Sequence, residues 1–326
     1  MVFRKRRRET ENAFALYYAS DVHGSDQCWR KFLGAGRFYE VNALLMGGDL
    51  TGKAVVPIAL ERDGSFSAEF MGETRSGSSQ ESLDELTSAV RYNGMYPWVA
   101  SADEIARHRG DAAARGELFE RVMLDELRRW VALADERMRP LGIEVLAMAG
   151  NDDPWSCDAI LESASYLVAC DLRIVKVGGH EMISCSYANP TPWASPRELS
   201  EDDLYTKVKA LADQLERPET AIFNLHVPPK ASGLDTAYEI DDQLRIVVRN
   251  GKPHEIPVGS TAVRQLIEEY QPLLALHGHI HESRGAATIG RTLAINSGSE
   301  YATGRIHGAI VKLSDDAVLS HQFTIG

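Results

Sequence analysis

Nine short apolar runs set the strongest constraint on what this chain can fold into. They are AFALYY (13–18), NALLM (42–46), IEVLAM (143–148), EMISCSY (181–187), AIFNL (221–225), LLAL (273–276), TLAIN (292–296), GAIVKL (308–313) and VLSHQFTI (318–325). Most are continuously apolar, not alternating, so a strand built from them must be covered on both faces. Helical patterns lie between them. One spans 26–40. A second, 195–218, follows Ser195 and Pro196 and is acidic early and basic late. A third, 259–272, starts at a Ser260 or Thr261 cap and stops before Pro272. Strands alternating with helices predict an α/β fold.

Residues 53–140 break this rhythm and read as an insertion. VVPIALERDGSFSAEFMGE (55–73) is an expected hairpin turning at RDGS. TRSGSSQES (74–82) reads as a flexible connector, and SLDELTSAVRYNG (82–94) as a short helix capped by Ser82. Residues 100–140 carry apolar positions at helical spacing. The insertion is expected to be partly scaffold and partly a lid or dimer contact, through which the chain would form a homo-oligomer.

Polar clusters follow the apolar runs at regular places. SDVHGS carries Asp21 and His23, GGDLTG carries Asp49, and AGNDDP carries Asn151, Asp152 and Asp153. LHVPP carries His226, and HGHIHE carries His279 and His281. Each lies just past the carboxyl end of an expected strand, the edge at which open α/β sheets bind ligands. Carboxylate, amide oxygen and imidazole together suit a borderline or hard divalent ion such as Mn²⁺, Fe²⁺, Zn²⁺ or Ni²⁺. Asp21 and His23, like His279 and His281, are two residues apart, so an extended segment points each pair the same way. Taken singly, DxH is common by chance, GGD is usually a turn, and HxH is more often a strand edge. Five in order, each behind an apolar run, point to one shared site.

The pattern resembles that of the calcineurin-like metallophosphoesterases: DxH, GD, GNH followed by an acidic residue, H, and GHxH. Here it stands as DVH, Gly48-Asp49, Gly150 to Asp153, His226 and GHIH. The resemblance frames nearly the whole chain apart from the insertion. It implies an αββα sandwich of two mixed sheets flanked by helices, in a single domain over 1–326 interrupted at about 53–140. It also implies two divalent metal ions. Matched residue by residue, Asp21, His23 and His281 would hold one ion, Asn151, His226 and His279 the other, and Asp49 would bridge them. A phosphoesterase using metal-activated hydroxide follows from such a site, because a two-ion clamp stabilises in-line displacement at phosphorus.

One position departs from the family. Where its members usually carry a histidine that contacts phosphate and protonates the leaving oxygen, this chain has Asp152. Beside two dications an aspartate stays ionised. It is a poor acid and repels phosphate unless it turns away, orients a water or binds a substrate group. A diester carries one negative charge fewer than a monoester dianion, so the expected activity is a phosphodiesterase, with Asp152 and Asp49 the candidate catalytic residues. Alternatives are a phosphomonoesterase, a nucleotide or pyrophosphate hydrolase, and a catalytically weak metal-binding scaffold.

Composition narrows the partners. With 44% hydrophobic and 25% charged residues the chain has the balance of a soluble globular protein. A net charge of -12 argues against a surface devoted to nucleic acid. A small phosphate ester remains compatible, since bound ions supply local positive charge. The chain has no apolar run of membrane-spanning length. The basic start, 4–8, lacks a signal peptide's apolar core and is expected to be solvated and frayed. Scattered Cys28, Cys157, Cys170 and Cys185 fit reduced thiols and a cytoplasmic location. Among weaker candidates, Asn189 and Trp193 read as a turn beside the substrate pocket, Arg284 and Asp235 as speculative substrate contacts, and His277 as core. Residues 295–301, INSGSEY, are expected to pack beside the site, and His108, His180, His254, His307 and His321 to be structural.

Overall fold

A computed structural model describes residues 13–326; the basic run 4–8 lies outside the described residues. Two six-stranded mixed sheets face each other. The first has the order Val318–Ile325, His307–Leu313, Phe14–Ala19, Ala43–Met46, Glu144–Ala147, Val168–Ala169. Its last four strands run parallel, and the two C-terminal strands join antiparallel at the opposite edge. The second has the order Gly285–Ile289, Thr292–Asn296, Leu274–His277, Ile222–Leu225, His180–Cys185, Ile174–Val177. Its four inner strands are parallel and both edges antiparallel.

Strand periodicity then builds the layers. Leu16, Tyr18, Leu45 and Leu146 point inward and meet Met182, Ile222, Leu274, Leu276 and Ile295 of the second sheet. Alternate residues Tyr17, Leu44, Met46 and Val145 point outward. They pack with Trp29, Phe32 and Leu33 of the helix Asp26–Phe38 and with Trp130 and Ala134 of the helix Ala112–Met138. On the far face Ile183, Phe223, Leu225 and Ala275 meet Leu204 and Val208 of Glu201–Ala212, and Val263, Leu266 and Ile267 of Thr261–Tyr270. Each fully buried leucine of this kind contributes about 1.5–3 kcal/mol. The four layers are helix, sheet, sheet, helix: the apolar runs give the expected α/β class, and the layering is the αββα arrangement that the resemblance implies.

The stretch 53–140, expected as an insertion, holds more than a hairpin with helices. Glu73–Gly77, Phe66–Phe70, Val55–Leu60 and Tyr96–Ala100 form a four-stranded sheet in that order. The hairpin at RDGS is present. The strand Glu73–Gly77 runs from the end of the hairpin segment into the expected connector, 74–82; it has no apolar alternation because its residues are largely exposed, and backbone pairing to Phe66–Phe70 holds it. Tyr96–Ala100 joins parallel to Val55–Leu60. The following helix, Gln80–Tyr92, is capped by Ser79, and Ser82 closes a reciprocal pair three positions in. The long helical stretch divides at Asp111, whose carboxylate accepts from the Ala113 and Ala114 amides, into Ala102–Gly110 and Ala112–Met138.

The helix expected after Ser195 begins at Glu201, capped by Ser200. Residues 195–199 are a loop, anchored by the fully buried Arg197. Its guanidinium donates to the Asp153 carbonyl at 2.9 Å and to the Asp158 carboxylate at 2.8 and 3.1 Å. All four cysteines are free and buried. Among the described residues, no helix is long and apolar enough to cross a membrane.

Candidate metal centre

Parallel strands bring their carboxyl ends to one edge of each sheet, and the two edges meet. Asp21, Asp49 and Asn151 follow Phe14–Ala19, Ala43–Met46 and Glu144–Ala147 of the first sheet; His226 and His279 follow Ile222–Leu225 and Leu274–His277 of the second. All seven expected ligands gather at that seam.

Ligand atoms of Asp21, His23 and His281 lie within 4.8 Å of one another, as do those of Asp49, His226 and His279. His23 Nε2 stands 3.5 Å from Asp49 Oδ2, and His281 Nε2 3.4 Å from Asp21 Oδ1. Asp49 Oδ2 is also 3.5 Å from His226 Nε2, so this carboxylate lies between the two groups. Asn151 Oδ1 sits 3.0 Å from His226 Nε2 and 2.8 Å from His279 Nδ1. His226 Nδ1 donates to the Gly47 carbonyl at 2.9 Å, which leaves Nε2 as the nitrogen facing the centre.

The backbone is bent to achieve this. Asp21, His23, Asp49 and His279 have φ of 59°, 39°, 51° and 65°, in the left-handed region. Each such residue costs about 1–3 kcal/mol, and strain of this kind collects at functional sites. Glycine is required where segments cross: a Cβ on Gly150 would fall on the Asp49 carboxylate, and one on Gly278 on Asp21 and Ser20.

The electrostatics fit a divalent ion. Burial pushes the Asp49 carboxyl up, but His226, His23 and His279 outweigh it and hold the group far below the usual carboxylate range. Asp21 behaves alike: burial raises it, and His281 and His226 bring it down on balance. Burial opposes a proton on His226, yet Asp49 and Asp21 raise it to about 10, while burial and the His226 charge push His279 down to about 4. Two buried carboxylates are thus balanced by a proton on imidazole. A dication bound to the same oxygen and nitrogen donors would replace that proton, and the donor set matches one.

Other residues order the site. Asp153 accepts from the amides of Leu50, Thr51 and Gly150 at 2.9, 2.8 and 2.8 Å and from Thr51 Oγ1 at 2.6 Å, tying the Asp49 and Asn151 loops together. Ser195 Oγ accepts from Asn151 Nδ2 at 2.9 Å and donates to Asp152 Oδ1 at 3.1 Å, which turns the Asn151 oxygen toward the histidines. Ser299 Oγ donates to the Asp21 carbonyl at 2.6 Å, and the Tyr301 ring lies 4.6 Å from that of His23. Residues 295–301 therefore pack beside the site.

Asp152 points to the mouth of the centre. Its amide donates to Asp49 Oδ1 at 3.0 Å, and a carboxylate oxygen lies within 4.8 Å of ligand atoms on His23 and Asp49. Lys53 Nζ donates to Asp152 Oδ2 at 2.5 Å. Neither Lys53 nor Ser195 stood out in the sequence; GDLTGK and NPTPWAS carry no motif that would single them out, and only the folded loops bring them here.

Several weaker candidates do not reach the centre. Arg284 donates to the Thr324 carbonyl and its guanidinium lies over the Phe323 ring, because the C-terminal strand offers an acceptor and an aromatic face. Asp235 is buried and accepts from the amides of Ala231, Ser232 and Gly259, a turn-forming role. Asn189 donates to the Val258 carbonyl, and Trp193 is exposed. His277 is buried, with Nδ1 on the Leu225 carbonyl.

No protein-family model matches the chain. An uncharacterized protein of Methanocaldococcus jannaschii is 29% identical over 157 residues, 47% of this chain and 63% of the relative. The chain thus spans less than two thirds of that relative's length. Two solved structures align over 96% of this chain and 98% of their own. One, a protein of Thermus thermophilus, has a TM-score of 0.53 at 11% identity; the other has 0.54 at 14%. At these identities the likeness is one of fold.

Proposed function

We propose that this chain is a phosphoesterase dependent on two divalent metal ions, acting on phosphodiesters ahead of monoesters. The observation that carries the reading is the seam itself: three carboxylate, amide and imidazole segments from one sheet and two from the other converge, with four of the converging residues in strained backbone. Asp21, His23 and His281 would hold one ion and Asn151, His226 and His279 the other, with Asp49 between them. When bound, such a pair supplies an activated water and neutralises charge that develops on phosphoryl oxygens.

The protein's own part is positional. His226 is locked by Gly47, Asn151 by Ser195, and the Asp49 loop by Asp153, so these donors are held in place by outer partners. The diester preference rests on Asp152. With Lys53 it forms a pair of no net charge where a protonated histidine would add a positive one. That favours a monoanionic diester over a dianionic monoester, and leaves Asp152 unable to serve as the acid for a poor leaving group.

The test is hydrolysis of an aryl phosphodiester and the matching monoester by metal-stripped protein, with Mn²⁺, Ni²⁺, Zn²⁺ or Mg²⁺ added back and Asp49→Asn as control. Metal-dependent turnover with diester ahead, lost by about a hundredfold or more in the control, is expected. Monoester ahead would remove the diester preference. Two ions bound with no turnover would point to a metal-binding scaffold.

A further inference from the structure

We infer that Lys53, the first residue of the insertion, is the side chain that contacts the substrate's phosphoryl group from outside the metal centre, and that Asp152 is the residue that positions it. The inference rests on the phosphoesterase reading and adds the substrate contact that Asp152 alone cannot provide.

The geometry begins with the loop 49–53. It leaves the strand Ala43–Met46, carries Asp49, and enters the insertion's sheet at Val55–Leu60. Both sides of it are clamped. From the first sheet, Asp153 accepts from the Leu50 and Thr51 amides. From the insertion, the Tyr96 hydroxyl accepts from the Gly52 amide at 2.5 Å, and Gly52 passes so close to the Gly94 carbonyl that a Cβ there would stand 2.8 Å from it. Tyr96 lies on the strand Tyr96–Ala100, which pairs parallel to Val55–Leu60. The insertion thus holds the backbone of Lys53 beside the centre, which gives the added sheet a role at the site.

The side chain then reaches back toward the metals. Its ammonium donates to Asp152 Oδ2 at 2.5 Å, and Asp152 is itself held by Ser195 Oγ on its other oxygen. Because an Asp152 oxygen lies within 4.8 Å of ligand atoms on His23 and Asp49, Lys53 Nζ stands one carboxylate away from the expected ions. The lysine side chain is 66% exposed and that of Asp152 22%, so the ammonium faces solvent at the mouth, where a substrate would enter. An ammonium on a four-carbon stem is a mobile point charge able to move from a carboxylate to a phosphoryl oxygen. No bond is made or broken in this exchange; one charge-assisted hydrogen bond replaces another.

The experiment uses the full chain loaded with Mn²⁺ and two readouts: inorganic phosphate binding by calorimetry, and steady-state hydrolysis of bis(4-nitrophenyl) phosphate. The variants are Lys53→Met, Lys53→Arg and the double variant Lys53→Met with Asp152→Asn. The expected result is unchanged Mn²⁺ stoichiometry and melting temperature. Phosphate affinity should fall about tenfold or more in Lys53→Met, with a matching rise in KM and a smaller change in kcat. Lys53→Arg should recover most of it. Wild-type phosphate affinity in Lys53→Met would overturn the inference. So would full recovery in the double variant, because then Lys53 would act only by cancelling the Asp152 charge. If the wild type binds phosphate through Lys53 but hydrolyses neither a diester nor a monoester, the phosphoesterase reading fails and the contact stands. If it hydrolyses the diester and Lys53→Met binds and turns over normally, the reading stands and the contact fails.

Discussion

His23 and His281 face each other across the seam of the two sheets, with their Nε2 atoms 3.2 Å apart. They are separated by 258 residues, and two imidazoles cannot both present protons at that distance. The Asp49 and Asp21 carboxylates lie against the same two nitrogens, at 3.5 Å from His23 Nε2 and 3.4 Å from His281 Nε2.

Metal binding should therefore compete with protons. His226, raised to about 10, carries a proton at neutral pH while the carboxylates are its only counter-charges, and an ion must displace it. Mn²⁺ affinity is expected to rise by about tenfold per pH unit between pH 6 and 8 for one proton displaced. Calorimetry in two buffers of different protonation enthalpy would count the protons released. An affinity independent of pH would show that binding displaces no proton from His226.

Ser195→Ala should loosen the centre without unfolding it. The hydroxyl accepts from Asn151 Nδ2 and so fixes which way the amide faces. Loss of such an outer partner typically costs about 10–100-fold in metal affinity. The expected outcome is a weaker second Mn²⁺ equivalent in a titration, with the first unchanged.

Asp152→His restores the residue type of the resembled family and tests the diester preference. Monoester kcat/KM should rise by about tenfold or more, a fraction of the roughly 10²–10⁴-fold that a well-placed general acid contributes. A fall in monoesterase activity would sink the assignment of that preference to Asp152.

Asp153→Ala removes an acceptor from three buried amides. Burial first, and the Asp49 charge second, raise this carboxyl, yet its hydrogen bonds hold two loops in register. The expected cost is about 3 kcal/mol or more, read as a lower Tm in metal-free protein. An unchanged Tm would show that water replaces the carboxylate.

Asp26 links the helices Asp26–Phe38 and Ala112–Met138, accepting from Arg129 and Arg30 at 2.6 Å and from the Trp130 indole at 3.1 Å. Burial raises its carboxyl, but Arg30 and Arg129 lower it on balance. The folded value therefore lies below the unfolded one, about 3.9. The stabilisation is present in full above that pH and is lost as pH falls through the folded value. Asp26→Asn should destabilise the protein by about 2–4 kcal/mol at pH 7, with the difference from wild type shrinking in acid denaturation profiles below pH 4.

Much of the framework was legible in the residues. The runs TLAIN and VLSHQFTI are strands over their whole expected length, Thr292–Asn296 and Val318–Ile325, because apolar continuity and local turn chemistry are short-range signals. Of the two expected caps, Ser260 and Thr261, Ser260 caps the helix, since a side-chain oxygen before an apolar-periodic segment acts within four residues. The ligand types and their place after strand ends were equally readable, because parallel strands deliver their carboxyl ends to a common edge. The sequence by itself thus determined the strands, the α/β class and the residues able to reach the seam, while the αββα layering entered only through the resemblance.

Tertiary structure decided the rest. Glu73–Gly77 is a strand only because Phe66–Phe70 offers it a ladder, and Arg284 is paired with the C-terminal strand because Phe323 and Thr324 lie beside it. The pairing of Lys53 with Asp152 joins positions 99 apart, and that of Asn151 with Ser195 positions 44 apart. Neither pair has a periodic signature. Such contacts depend on where two loops end after both sheets have packed, and that is set by the burial of the whole core and not by any local preference of the residues that meet.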